Sequence, residues 1–120
     1  MHKIKNMLLL RKYRQQGCVV SNKIISEGWK VGYMYKEETT PNQPDSGWRF
    51  LKGDEDSDYM NKTNNSKIYS LYAICQIDPA IIPYLKSPIG SSYIRVKNDK
   101  FEIDNGTKDL IYEKQKRRTK

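Results

Sequence analysis

The sequence predicts an α+β domain, a mostly antiparallel sheet with two short helices. Three observations predict it. "WKVGYMY" alternates as a strand does. "SSYIRV" and "KFEI", joined by "KND", read as a hairpin. Two brief segments, "SNKIISEG" and "DPAIIPYL", begin with residues suited to start a helix. The chain of 120 residues suits one domain with one modest core. Its hydrophobic fraction is only 37%, but nine Tyr and two Trp add large buriable surface. Residues 1–16 read as a basic N-terminal arm or short helix. Residues 17–112 read as a single α+β domain, and 113–120 as a basic C-terminal tail.

Each element follows in chain order. "CVVS" reads as a short buried strand, because branched side chains pack well on a pleated surface. Ser21 or Asn22 can cap the first helical turn, and Gly28 can end it in a left-handed conformation. In "WKVGYMY", Trp29, Val31, Tyr33 and Tyr35 share one face, which is expected to cover the core. Gly32 on the other face leaves room for a neighbouring backbone or side chain. Pro41 and Pro44 keep the next connection irregular. "WRFL" resumes the extended pattern, with Trp48 and Phe50 inward, and Gly53 and Asp54 suit a turn. "KIYSLYAICQ" fits a strand or a buried helical segment equally. Asp78 is expected to cap the second helix, with Pro79 at its first position and Ile81, Ile82 and Leu85 on one face. Pro83 sits awkwardly inside it, and Pro88 and Gly90 end it. Leu110–Tyr112 form a last apolar patch.

The net charge of +8 is unevenly spread. Residues 1–36 carry eight basic and one acidic side chain, and residues 67–120 carry eleven and six. Residues 37–66 reverse the balance, with three basic and seven acidic. Four of those acids lie in "GDEDSDYM". Asp54, Asp56 and Asp58 alternate like the first ligands of a calcium loop, but Tyr59 and Asn65 stand where that loop needs Gly and a bidentate Glu. His2, Cys18 and Cys75 lack metal-ligand spacing, so no metal or cofactor is expected. The two cysteines read as buried small hydrophobes without a disulfide. No phosphate-cradling glycine loop or nucleophile motif is present, so no catalytic residue is assigned. An enzyme using the clustered carboxylates stays open as an alternative. So does a small basic nucleic-acid binder, with Lys3, Lys5, Arg11, Lys12, Arg14 and the C-terminal basic run on phosphates. The remaining reading is protein binding: Asp54, Glu55, Asp56 and Asp58 steer a basic partner and Tyr59 supplies contact area. Arg49 is expected to pair with an acid of its own stretch. The apolar run Met7–Leu10 is too short for a signal peptide or a membrane span, so the protein is expected in the cytoplasm, with no membrane partner.

"GWKVGYMY", "DSGWRF" with "GDE", and "DP" followed by "IIPYL" and "PIG" resemble, in that order, the bacterial immunity protein 33-like domain family. The resemblance runs over about residues 17–95. It implies a cytoplasmic protein that binds and neutralises a co-encoded toxin, and it brings no catalytic residue or cofactor. The matching motif positions are Trp29, Gly32, Tyr33, Asp45, Ser46, Gly47, Trp48, Arg49, Gly53, Asp54 and Glu55. Tyr72 stands where the family pattern implies an asparagine.

Overall fold

The structure, a computed structural model, describes residues 7–41 and 43–104. Leu110–Tyr112 and the basic tail lie outside the described residues. Helix α1 (Met7–Gln15) leads into strand β1 (Gly17–Ser21) and helix α2 (Asn22–Ile25). Strands β2 (Tyr33–Lys36) and β3 (Asp45–Leu51) follow, then helix α3 (Ser57–Met60). Strand β4 (Ser66–Ser70) runs directly into helix α4 (Leu71–Ile77), and the hairpin β5 (Ser92–Lys97) and β6 (Lys100–Ile103) ends the described chain. Two 3-10 segments, Thr63–Asn65 and Pro79–Tyr84, complete it. All six strands form one sheet in the order β4-β1-β3-β2-β5-β6. The pairings are antiparallel except β1 with β3, which is parallel.

The expected two helices are thus corrected to four α-helical segments and two 3-10 segments among the described residues. The additions are short and locally capped. Ser70 Oγ accepts from Ala73 N at 3.1 Å, which splits "KIYSLYAICQ" into a strand and then a helix. Asp56 caps α3 in the same way, and Ser21 caps α2. Gly28 follows α2 at φ 80°, as its position suggests. The segment after Asp78 is helical but of the 3-10 kind, and it holds Pro83 within it.

The core lies on one side of the sheet. Cys18 and Val20 of β1, Met34 of β2, Trp48 and Phe50 of β3, and Phe101 of β6 meet Tyr13 of α1, Leu71, Ile74 and Cys75 of α4, and Ile81. Trp48 and Phe50 stack with ring centroids 6.0 Å apart, and the indole N–H of Trp48 donates to Leu85 O. Their inward placement agrees with the alternation of "WRFL".

"WKVGYMY" does not behave as one inward-facing strand. Residues 28–32 are irregular, and only Tyr33–Lys36 pair. Met34 is fully buried, while Tyr33 and Tyr35 are half-buried and fall on the opposite face. Trp29 is 49% exposed. The cause is Gly32. Its N–H donates to Leu51 O at 2.9 Å, and a Cβ there would lie 1.9 Å from Lys52 O. The chain passes so close to the end of β3 that the alternation breaks between Val31, which is buried, and Met34.

Candidate functional site

The acidic stretch begins where β3 ends, and a tight turn folds it back. Glu55 is buried, with 3% exposure. Its two carboxylate oxygens accept from the backbone N–H groups of Lys52 and Gly53, each at 2.8 Å. It therefore shapes the loop from inside and presents no charge to a partner. Asp56 Oδ1 accepts from Tyr59 N at 2.8 Å as the cap of α3. Asp54 and Asp58 are the exposed members of the group.

Asp54 sits between two ammonium groups, Lys23 at 2.9 Å and Lys52 at 3.0 Å. The hydrogen bond from Lys23 holds its carboxyl below the usual range and in return raises the Lys23 pKa. Each lysine also lies over an aromatic ring: Lys52 is 3.8 Å from the Trp29 ring centroid and Lys23 is 5.0 Å from that of Tyr59. Trp29, Lys52, Asp54, Lys23 and Tyr59 thus form an arch in which ring, cation, carboxylate, cation and ring alternate. The underlying elements fix it. Trp29 N donates to Lys23 O at 3.2 Å, and Asn65 Nδ2 donates to Tyr59 O at 2.9 Å. Asn22 Nδ2 donates to Asn64 O, tying α2 to the 3-10 turn. The local potential is less negative than the sequence suggests, because Lys23 enters the group from thirty-one positions away and Lys52 folds back onto Asp54.

"DSGWR" builds a second feature at the other end of β3. Gly17 pairs with Asp45 and Val19 with Arg49, so β3 bulges between them. Ser46 Oγ donates to Gly17 O at 2.6 Å and accepts from Trp48 N. Gly47 has φ 91°, and a Cβ there would lie 2.4 Å from Glu37 O. The bulge brings Asp45 back to Arg49, which grips it with two hydrogen bonds of 2.9 and 2.8 Å. Arg49 Nε also donates to Glu37 at 2.6 Å. The guanidinium holds the Asp45 carboxyl below its usual range, and Asp45 in turn pushes the Arg49 pKa up. Arg49 pairs within its own stretch, as the sequence suggests.

The structure unites Trp29, Asp54 and Tyr59, and separately Asp45, Gly47 and Arg49. Trp48 is core, and Gly32 and Gly53 are backbone turns beside the first group. Sequence reasoning missed one more pair. Asp78 sits at the start of its 3-10 segment but makes no capping bond. Its buried carboxylate accepts from Val31 N at 3.0 Å and pairs with Arg95 of β5. Nothing in the local pattern of "DP" distinguishes this role from a cap. Cys18 and Cys75 are free and buried, and burial pushes both thiols up to about 12. Among the described residues no group of three or more His, Cys, Asp or Glu side chains is placed to hold a metal ion. No described helix is long and apolar enough to cross a membrane.

Residues 18–104 match the model of the immunity protein Imm33 domain. That match takes in well over half of the 120 residues, and the chain belongs to this family. It reaches past Arg95 to include the β5–β6 hairpin. At the level of the family it supports a non-enzymatic, toxin-neutralising role. No curated protein and no solved structure matches the chain.

Proposed function

We propose that this Imm33-domain protein binds a cognate bacterial toxin in the cytoplasm as a stoichiometric, non-catalytic complex, and that the loop after β3 supplies the contact. The observation that carries the reading is the arch of Trp29, Lys52, Asp54, Lys23 and Tyr59 beside Asp58. An exposed Trp ahead of β2 and a half-exposed Tyr on α3, braced against each other through Lys23, Asp54 and Lys52, are side chains of the kind that anchor protein interfaces. Asp54, Asp56 and Asp58 give the rim its charge, and Glu55 holds the loop that presents it. Pre-set ion pairs lower the ordering cost on binding. The free buried thiols agree with a reducing compartment.

The test is co-expression with the product of a neighbouring toxin gene, followed by co-purification and kinetic titration. A one-to-one complex without substrate turnover is expected. Trp29→Ala is expected to raise the dissociation rate by about tenfold or more, as loss of an aromatic anchor does. Paired reversal of Asp54 and Asp58 to Lys is expected to act mainly on the association rate. Neutralisation with unchanged rates in both variants places the contact elsewhere.

A further inference from the structure

The sheet carries a cleft of about 400 Å³ at the end of β3 remote from the arch. On β3 the cleft takes Asp45 and Arg49, and the arch begins just past the strand's other end, at Lys52. Val19 and Ile68, cross-strand partners on β1 and β4, line the apolar side. Thr39 and Pro44 of the β2–β3 connection line another side, and Glu38 and Asp45 bring carboxylates to it. Ile68 is 79% exposed in the middle of an edge strand. An uncovered isoleucine on an edge is a position that chains ordinarily blunt with charge.

The charge of the cleft is opposite to that of the chain. Arg49 is the one cation among its lining residues, and Asp45 and Glu37 already engage it. Glu38 is exposed and makes no hydrogen bond or ion pair among the described residues. The Asp45 carboxylate accepts from Arg49 Nη1, Arg49 Nη2 and Gly47 N. A carboxylate offers about four acceptor sites, so one remains. An anion or a nucleic-acid phosphate is repelled here, and a purely apolar group leaves these acceptors unsatisfied.

We propose that the cleft receives one basic side chain of a partner protein, with its aliphatic stem on Val19 and Ile68 and its cationic head at Glu38 and Asp45. Arg and Lys are amphipathic in this way, with a hydrocarbon stem and a charged tip. The inference rests on the protein-binding reading above and adds a second contact to it, with a lining that shares no residue with the arch. Its test does not need the toxin.

The 15N-labelled full chain is titrated with a blocked Leu-Arg-Leu tripeptide and with blocked Leu-Gln-Leu as control. Saturable amide shifts are expected at Val19, Thr39, Thr40 and Ile68 with the arginine peptide. Glu38→Gln is expected to weaken that binding by about tenfold, the loss of one charge-assisted contact. Ile68→Asn, also at an exposed position, is expected to weaken it through the stem. Absent shifts, shifts confined to residues 54–58, or equal shifts with the glutamine peptide overturn the proposal. Self-association that Ile68→Asn abolishes overturns it in favour of a second copy as the occupant. If the cleft fails while the chain still neutralises its toxin, only this inference falls. If the peptide seats but no toxin complex forms, the toxin reading falls instead.

Discussion

Asp78 and Arg95 show how much one buried charge can govern. The Asp78 side chain is 3% exposed and is held by Val31 N and the Arg95 guanidinium. Arg95 Nε also donates to Val31 O at 2.7 Å, so the pair clamps the irregular segment before β2 onto β5. Arg95→Met leaves an uncompensated carboxylate in the core. The expected cost is about 3–5 kcal/mol in urea denaturation. Adding Asp78→Asn removes the charge, so the double variant is expected to be more stable than Arg95→Met alone. The cysteines give a second residue-scale outcome. With both thiols buried and raised to about 12, a thiol reagent at pH 8 is expected to label neither in the folded chain and both in denaturant. Asp45 gives the third. Arg49 depresses its folded pKa below the unfolded value of about 3.9. The stabilisation is therefore present at neutral pH and is lost as pH falls through the folded pKa. Asp45→Asn is expected to lower stability at pH 7 and to flatten its fall below about pH 4.

At the scale of elements, the decisive residues are those that stop a pattern. Gly32 is one. Gly32→Ala places a methyl where Lys52 O already stands, and the backbone of residues 28–32 has to move off the end of β3. The expected cost is about 1–3 kcal/mol by denaturation, together with loss of the Trp29–Lys52 stacking, read as a change in Trp fluorescence. Ser70→Ala removes the cap of α4 and is expected to cost about 1 kcal/mol. These two positions also show what was legible in the sequence. The strands at "CVVS" and "WRF" were readable because their apolar residues report burial directly, and the last hairpin because of its turn residues, although Val96 and Ile103 in it are exposed. The inward face of "WKVGYMY" was misread, because a periodicity of two holds only while the strand continues. A contact between Gly32 and a residue twenty positions later broke it. "KIYSLYAICQ" was ambiguous for a related reason: both readings hold, one for each half, and Ser70 is the boundary. In the acidic stretch the residue types were visible, but their division of labour was not. Glu55 looks like its neighbours in sequence and differs only because Lys52 and Gly53 turn their N–H groups toward it. Lys52 is a sequence neighbour of Asp54, but Lys23 enters the arch only through the fold, from thirty-one positions before it.

At the scale of the whole molecule, the net charge and the local charge act in opposite senses on a basic partner. The chain carries +8, while the arch and the cleft each present carboxylates. At low ionic strength the Debye length is about 30 Å at 0.01 M, so an approaching basic protein meets the repulsion of the whole molecule. At about 0.15 M that length falls to roughly 8 Å, and the repulsion is screened before the short-range attraction at Asp54 and Asp58 is lost. Association with a basic toxin is therefore expected to depend weakly on salt, with a shallow maximum in rate near physiological ionic strength. Reversing Asp54 and Asp58 to Lys removes the attraction and leaves the repulsion, so that variant's rate is expected to rise steadily with salt. Stopped-flow mixing over about 0.01–0.5 M salt separates the two curves. A wild-type rate that rises throughout, as the variant's is expected to, means that the carboxylates at the end of β3 do not face the partner. A steep continuous fall means that the partner senses local charge alone, and that the net charge of the chain does not act on its approach.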